Sequence, residues 1–192
     1  MSYFFTSDHH FNHFNIIRYC ERPFASVEEM NEVFIHNWNR VVTDKDIVWH
    51  IGDFAFGGNS KESADSIRSI FYRLKGQKNI CWGNHDLKGP AKKVMRTLPW
   101  GWYGDLKEII VDKQKIFMCH YAFKVWASSH RGSWNLHGHS HGNLFNDPYA
   151  HQMDVGVDSN NYTPVSFDEI KAHMATKKFR PVDSHKEREK RA

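Results

Sequence analysis

The 192-residue chain carries fourteen histidines, and eight of them fall in four tight clusters. The clusters are Asp8-His9-His10 with His13, Gly83-Asn84-His85-Asp86, Cys119-His120, and His137-Gly138-His139-Ser140-His141; Gly52-Asp53 lies between the first two. Imidazole is the commonest protein metal ligand and titrates near neutrality. A lone histidine is usually a packed or solvated residue, but four clusters ask for another explanation. The candidate ligands are Asp8, His10, Asp53, Asn84, His120, His139 and His141: two carboxylates, one amide and four imidazoles. Three or four donors suffice for one tetrahedral ion. Seven suit two ions that share a carboxylate and each keep a position for water. None is a thiolate, and the nitrogen–oxygen mixture suits Mn²⁺, Fe or Zn²⁺ better than Ca²⁺ or Cu⁺, with Mn favoured.

The elements that must position these residues follow from the apolar pattern. Residues 3–6 are a short apolar, aromatic run read as a strand, with Asp8 just past its end. Ser26 with Glu29 is a capping box that opens a helix to about residue 39. Residues 47–51 read as a buried strand running into Gly52-Asp53. Asn59 or Ser60 caps a second helix that reaches Leu74 and stops at Gly76. Residues 79–82 form another strand, and Pro90 suits the first turn of a third helix. The rhythm then changes. Residues 107–111 and 115–119 flank Asp112-Lys113 as a hairpin, residues 134–137 and 152–157 are further strands, and Ser166 with Glu169 opens a last helix to about residue 177. In the first half each polar cluster follows the carboxyl end of a strand, and His120 follows its strand in the same way. In open α/β sheets side chains converge on a crevice at that edge. One site assembled from five loops is the economical reading.

Taken in order, Asp8-x-His10, Gly52-Asp53, Gly83-Asn84-His85-Asp86, His120 and Gly138-His139-x-His141 resemble the calcineurin-like metallophosphoesterases, five blocks in register from residue 8 to residue 141. The resemblance implies an α/β fold, a two-sheet α/β sandwich with a dinuclear metal site at the strand ends, here in a compact member without a cap domain. It implies that Asp8, His10 and His141 hold one divalent ion, that Asn84, His120 and His139 hold the other, and that Asp53 bridges both. His85 would reach the scissile phosphate as general acid or charge stabiliser, and Asp86 would orient His85 through its ring N–H. Two ions ~3.5–4 Å apart can clamp the attacking and leaving oxygens of an in-line displacement. They also make a bridging hydroxide available near neutral pH. No Walker-type phosphate loop is present, so phosphoryl transfer by that route is not expected.

The expected activity is hydrolysis of nucleotide or nucleic-acid phosphodiesters. Phosphomonoesterase activity, including that of a protein serine/threonine phosphatase, is the alternative, and a non-catalytic metal-binding module a remoter one. Substrate contacts are drawn from Asn12, His13, Arg18 and Tyr19 after the first block, and from Tyr121 and Arg131 before the last; Phe11, Asn15, Arg22, Trp126, His130 and Trp134 are further members. Arginine suits bidentate phosphate contacts and aromatics stack on bases. His50 reads as a packed strand residue and Cys119 as buried filler. Asp154 and Asp158 read first as strand-end structural residues, with support of His141 or its loop as the second reading.

The bulk composition fits this frame. With 40% hydrophobic and 25% charged residues, the chain is an ordinary globular protein. Residues 177–192 hold seven basic and three acidic side chains, which equals the whole net charge of +4. A single domain over residues 1–176, followed by a charged flexible tail over 177–192, is therefore expected, and the charge alone makes no case for nucleic acid. No apolar run approaches the ~18 residues of a membrane span, and the N-terminus lacks a signal-peptide pattern. Three separated cysteines suit a reducing, cytoplasmic compartment. No membrane and no obligate protein partner are expected.

Overall fold

A computed structural model describes residues 1–88 and 91–183. In chain order the elements are β1 (Tyr3–Thr6), α1 (Phe14–Tyr19), α2 (Val27–Val41), β2 (Ile47–His50), α3 (Lys61–Arg73), β3 (Gln77–Cys81), α4 (Ala91–Met95), β4 (Tyr103–Gly104), β5 (Leu106–Val111), β6 (Gln114–Cys119), β7 (Trp134–His137), β8 (Gln152–Asp154), β9 (Val165–Ser166) and α5 (Phe167–Ala175). Single 3₁₀ turns, Ser129–Arg131 and Val157–Ser159, precede β7 and follow β8.

Three serine caps act where the sequence places them. The Oγ atoms of Ser26, Ser60 and Ser166 accept the backbone N–H groups of Glu29, Ser63 and Glu169, opening α2, α3 and α5. At α5 the Glu169 carboxylate also accepts the Ser166 N–H at 2.8 Å, which completes a capping box. Met30, Phe34 and Trp38 are fully buried along α2 at four-residue spacing, one continuous apolar stripe.

The strands form two mixed sheets, ordered β4-β3-β2-β1-β9 and β5-β6-β7-β8. In the first, β1 to β4 are parallel and β9 runs antiparallel to β1. In the second, the β5–β6 hairpin is followed by parallel β7 and β8. Alternation along the strands divides the core in two. Phe4, Val48 and Ile80 pack with the helices, whereas Phe5, Trp49 and Cys81 meet Ile116, Met118, Trp134 and Leu136 of the second sheet. This is the expected two-sheet α/β sandwich. It brings the carboxyl ends of β1, β2, β3, β6 and β7 to one edge.

Several local expectations change. Helix α1 and strand β4, with six and two residues, are additions, too short to print a periodicity on the sequence. The strand expected through residue 157 ends at Asp154. There the Asp154 carboxylate turns back to accept the N–H groups of Gly156 (2.7 Å) and Gly142 (3.1 Å). Pro90 lies outside the described residues, as do residues 184–192 of the expected tail. Residues 177–183 run against the second-sheet loops: Lys178 and Arg180 donate backbone N–H groups to the carbonyls of Pro148 and Tyr149, and Phe179 stacks on His151 at 4.2 Å. No helix among the described residues is long and apolar enough to cross a membrane.

Candidate metal centre

Beyond the ends of β1 and β2 the two chains remain paired. Asp8, His10 and Phe11 donate backbone N–H groups to the carbonyls of Gly52, Asp53 and Phe54 at 2.9–3.0 Å. Turning the side chains inward from this zipper requires left-handed backbone at Asp8 (φ 60°), His10 (51°) and Asp53 (57°), and again at His139 (69°) and His141 (47°). Such conformations are uncommon for non-glycine residues. Each costs of order 1–3 kcal/mol and persists where the surroundings over-determine it, typically at functional sites.

The side chains converge as two donor groups around one carboxylate. The ligand atoms of Asp8, His10 and His141 lie within 4.8 Å of one another, as do those of Asp53, His120 and His139. Asp53 Oδ2 stands 3.5 Å from His10 Nε2 and 3.3 Å from His120 Nε2, between the two groups. Asn84 Oδ1 lies 3.2 Å from the same His120 nitrogen. Two imidazoles are fixed from behind. His120 Nδ1 donates to the Ile51 carbonyl at 2.8 Å and His141 Nδ1 to Asp158 Oδ2 at 2.7 Å. Each ring is left with Nε2 toward the centre, the arrangement that orients metal-binding histidines. Ser7 Oγ donates to Asp8 Oδ2 at 2.6 Å and the His139 backbone N–H reaches the same carboxylate at 3.0 Å.

The electrostatics express a centre short of positive charge. Burial pushes the Asp8 carboxyl up to about 7, against the nearby charges of His120 and His141. Burial also opposes ionisation of Asp53, but the hydrogen bond and charge of His120, then His10, hold it well below the usual range. For His120 and His141 burial favours the neutral ring, yet the hydrogen bonds to Asp53 and Asp158 prevail and raise them to about 9 and about 10. His10 is driven the other way by burial, so its ring is neutral. Its buried Nε2 has no hydrogen-bond partner among the described residues. An orphaned neutral imidazole nitrogen facing a carboxylate shared with a second imidazole fits a divalent cation, and the N/O donor set suits Mn, Fe or Zn.

Other residues take different tasks from those expected. Asp86 does not hold the His85 ring. Its two oxygens accept the backbone N–H groups of Gly83, Asp53 and Phe54 at 2.7–2.9 Å, tying the turn after β3 to the loop after β2. His85 is positioned through its own backbone N–H, which donates to Asp53 Oδ1 at 2.8 Å, and its ring lies 5.0 Å from that of His10. Arg22 is buried rather than at the substrate mouth. It pairs with both oxygens of Asp158 at 2.7 and 2.8 Å and donates to the Asp8 and His9 carbonyls. Asp158, read first as a strand-end residue, is thus the carboxylate behind His141; only the second Asp of Asp-Val-Gly-Val-Asp signalled it. Ser7 carried no signal.

Of the expected substrate contacts, His13 stacks on Phe56 at 4.2 Å beside His85, with exposed Tyr19 and Arg18 next to it. Tyr121 is exposed and its ring packs 4.7 Å from His139. His13 and Tyr121 thus adjoin residues of the centre, His10 and His139, with Tyr19 and Arg18 beyond His13. Asn12 does not face it, since its amide is bonded to Asn31 and Ser66. Arg131 sits in the 3₁₀ turn before β7, at the end of the strand opposite His139. Trp126 and Trp134 are core residues, bonded to Ser133 and stacked on Phe167 respectively.

The sequence pattern of the calcineurin-like phosphoesterases matches residues 1–169. An uncharacterised protein of Methanocaldococcus jannaschii is 38% identical over 169 residues, spanning 85% of this chain and 86% of that protein. The Gene 66 protein of Mycobacterium phage L5 is 25% identical over 180 residues, 81% of this chain and 86% of its own. Among solved structures, a protein of unknown function from Aquifex aeolicus superposes with a TM-score of 0.69 at 25% identity, covering 90% of this chain and 98% of that one. The chain therefore belongs to the calcineurin-like phosphoesterases, a metal-dependent family of phosphoester hydrolases.

Proposed function

We propose that the chain is a phosphodiesterase acting on nucleotide or nucleic-acid diesters, with one divalent ion held by Asp8, His10 and His141 and a second by Asn84, His120 and His139. The observation that carries this reading is the position of Asp53 Oδ2 between His10 Nε2 and His120 Nε2, at 3.5 and 3.3 Å, where one carboxylate serves two donor groups. Two such ions, with Mn favoured, supply an activated water and offset the charge that builds on phosphate oxygens. The protein's own part is orientation. Ile51 and Asp158 fix the tautomers of His120 and His141, and the Asp86 carboxylate locks the two loops that carry Asp53 and His85. The His85 ring is the proton donor to the leaving oxygen, or the group that stabilises its charge.

The arginine count favours the diester. Arg22 is committed to Asp158 and Arg131 lies at the far end of β7, which leaves of the expected arginines Arg18, over the Tyr19 ring on the far side of His13. A monoanionic diester demands less positive charge than a dianionic monoester. Tyr19, His13 and Tyr121 are offered as contacts to the organic part. The three unpaired cysteines support a reducing, cytoplasmic setting.

The test compares bis-p-nitrophenyl phosphate with p-nitrophenyl phosphate on chelator-stripped protein given Mn²⁺. Metal-dependent turnover that prefers the diester is expected. Asp53→Asn should lose metal and turnover together, whereas His85→Ala should keep the metal and lose turnover, most severely with poor leaving groups. Preference for the monoester would move the assignment to phosphatases.

A further inference from the structure

His13 stands just before the first turn of α1, where a serine, threonine, aspartate or asparagine would cap the helix. Its side chain makes no capping hydrogen bond. The ring turns back toward the first block of the centre instead. The His13 backbone N–H donates to the His10 carbonyl at 3.0 Å, and in this tight turn the two Nδ1 atoms stand 3.4 Å apart. One face of the His13 ring is held as well. It stacks on Phe56 at 4.2 Å and 14°, and the Phe56 N–H is fixed to the Phe11 carbonyl at 2.8 Å. His13 is buried in this setting.

The protons of the pair follow from its surroundings. Burial keeps both rings neutral, pushing His13 down to about 4, so each carries a single N–H. Two neutral rings that meet through Nδ1 place one proton between those atoms, and one ring must be the acceptor. His10 Nε2 faces Asp53 Oδ2 at 3.5 Å and has no hydrogen-bond partner among the described residues. A nitrogen that binds a cation must be bare, which puts the His10 proton on Nδ1. Among the described residues, the acceptor in reach of that proton is His13 Nδ1. His120 and His141 have the same need and meet it with the Ile51 carbonyl and the Asp158 carboxylate. His10 meets it with a second imidazole.

We propose that His13 is the positioning residue of the His10 site: its Nδ1 accepts the His10 Nδ1–H and thereby keeps His10 Nε2 bare beside Asp53. The proposal rests on the two-ion reading and adds a residue to it. It has a corollary for the substrate. His13 then carries its own proton on Nε2, so any contact it makes to a phosphoester through that nitrogen is as a donor.

His13→Phe keeps a ring to stack on Phe56 and removes the acceptor. In calorimetric titration of the full-length, metal-stripped chain with Mn²⁺ at pH 7, the wild type should take up two ions. The variant should bind one of them about 10–100-fold more weakly and the other unchanged, with its circular dichroism retained. NMR of the imidazole nitrogens in the wild-type chain, loaded with diamagnetic Zn²⁺, reads the tautomers without any substitution. His10 should be protonated on Nδ1 and His13 on Nε2. A proton on His13 Nδ1 overturns the proposal. So does a His13→Phe chain that binds two ions as tightly as the wild type, which leaves the two-ion reading standing. A wild-type chain that takes up no Mn²⁺ removes that reading, and the proposal falls with it.

Discussion

Asp158 faces two cationic groups at once: the His141 ring at 2.7 Å and the buried Arg22 guanidinium, which also secures the backbone carbonyls of Asp8 and His9. Burial works against its charge, but His141 and Arg22 hold its pKa down at about 2. A depressed carboxylate stabilises the fold above its unfolded value near 3.9 and loses that contribution as pH falls toward about 2. Asp158→Asn should therefore leave Arg22 buried without its counter-charge, a loss of about 3–5 kcal/mol by thermal denaturation. It should also weaken Mn²⁺ binding by about 10–100-fold through His141. An unchanged melting temperature would refute the pairing. The protonation state of the centre gives a second expectation. Ligation needs neutral imidazoles and an ionised carboxyl, whereas metal-free His120 and His141 hold protons up to about 9 and about 10, and Asp8 up to about 7. Metal affinity should climb with pH up to about 10 and fall most steeply below about 7. Loading both sites at pH 7 should release about two to three protons, read by calorimetry in buffers of different ionisation enthalpy. The residues that converge on the centre were legible because the candidate chemistry restricts each position to few residue types. The tasks of Asp86 and Arg22 were not, and Asp158 stood behind His141 only as a second reading, because a carboxylate or guanidinium does not announce in sequence which partner it will meet.

At the scale of elements, the turns matter more than the strands they follow. Gly138, at the exit of β7, passes so close to β1's exit that a Cβ there would overlap Ser7 Oγ and Asp8 Oδ2. Gly138→Ala should push the Asp8 carboxylate off its place and abolish Mn²⁺ binding at the His10–His141 group, while secondary structure by circular dichroism is retained. Retention of two bound ions by the variant would show that the loop can shift. The capped helices and most of the strands were visible in the chain because they carry local signals, a serine cap at the start of each of α2, α3 and α5 or a short apolar run such as residues 3–6 and 47–51. Helix α1 has neither a side-chain cap nor an acidic first turn. Strand β4 exists because Ile80 and Trp82 donate their backbone N–H groups to the carbonyls of Trp102 and Gly104 across the sheet, a tertiary choice that local sequence does not record. The segment 177–183 was read as tail because its charge dominated the pattern. Phe179 and the two backbone hydrogen bonds to Pro148 and Tyr149 decide its course instead.

For the whole molecule, the centre straddles the seam between the sheets. Asp8, His10, Asp53 and Asn84 follow strands of the first sheet, and His120, His139 and His141 follow strands of the second. An ion held by both sets would select the native state alone. One site at about 100 times its Kd adds ~2.7 kcal/mol, or about 5–11 °C in Tm for a chain of this length. Mn²⁺ should raise Tm by at least that amount, and Asp53→Asn should remove the shift. A Tm insensitive to Mn²⁺ would mean that no ion joins the two sheets. The sharing of loops between the centre and a cavity has an evolutionary consequence. Residues 120–124 and 139–145 each begin with residues of the centre and end with lining of the cavity of about 590 Å³ on the second sheet, so natural variation can reshape those two walls only through the far half of each loop. Across relatives, insertions and aromatic replacements should gather after positions 121 and 142, while spacing within His139-Ser140-His141 stays constant. The lineage can drift in the shape of that cavity, but there only along chain that the centre leaves free.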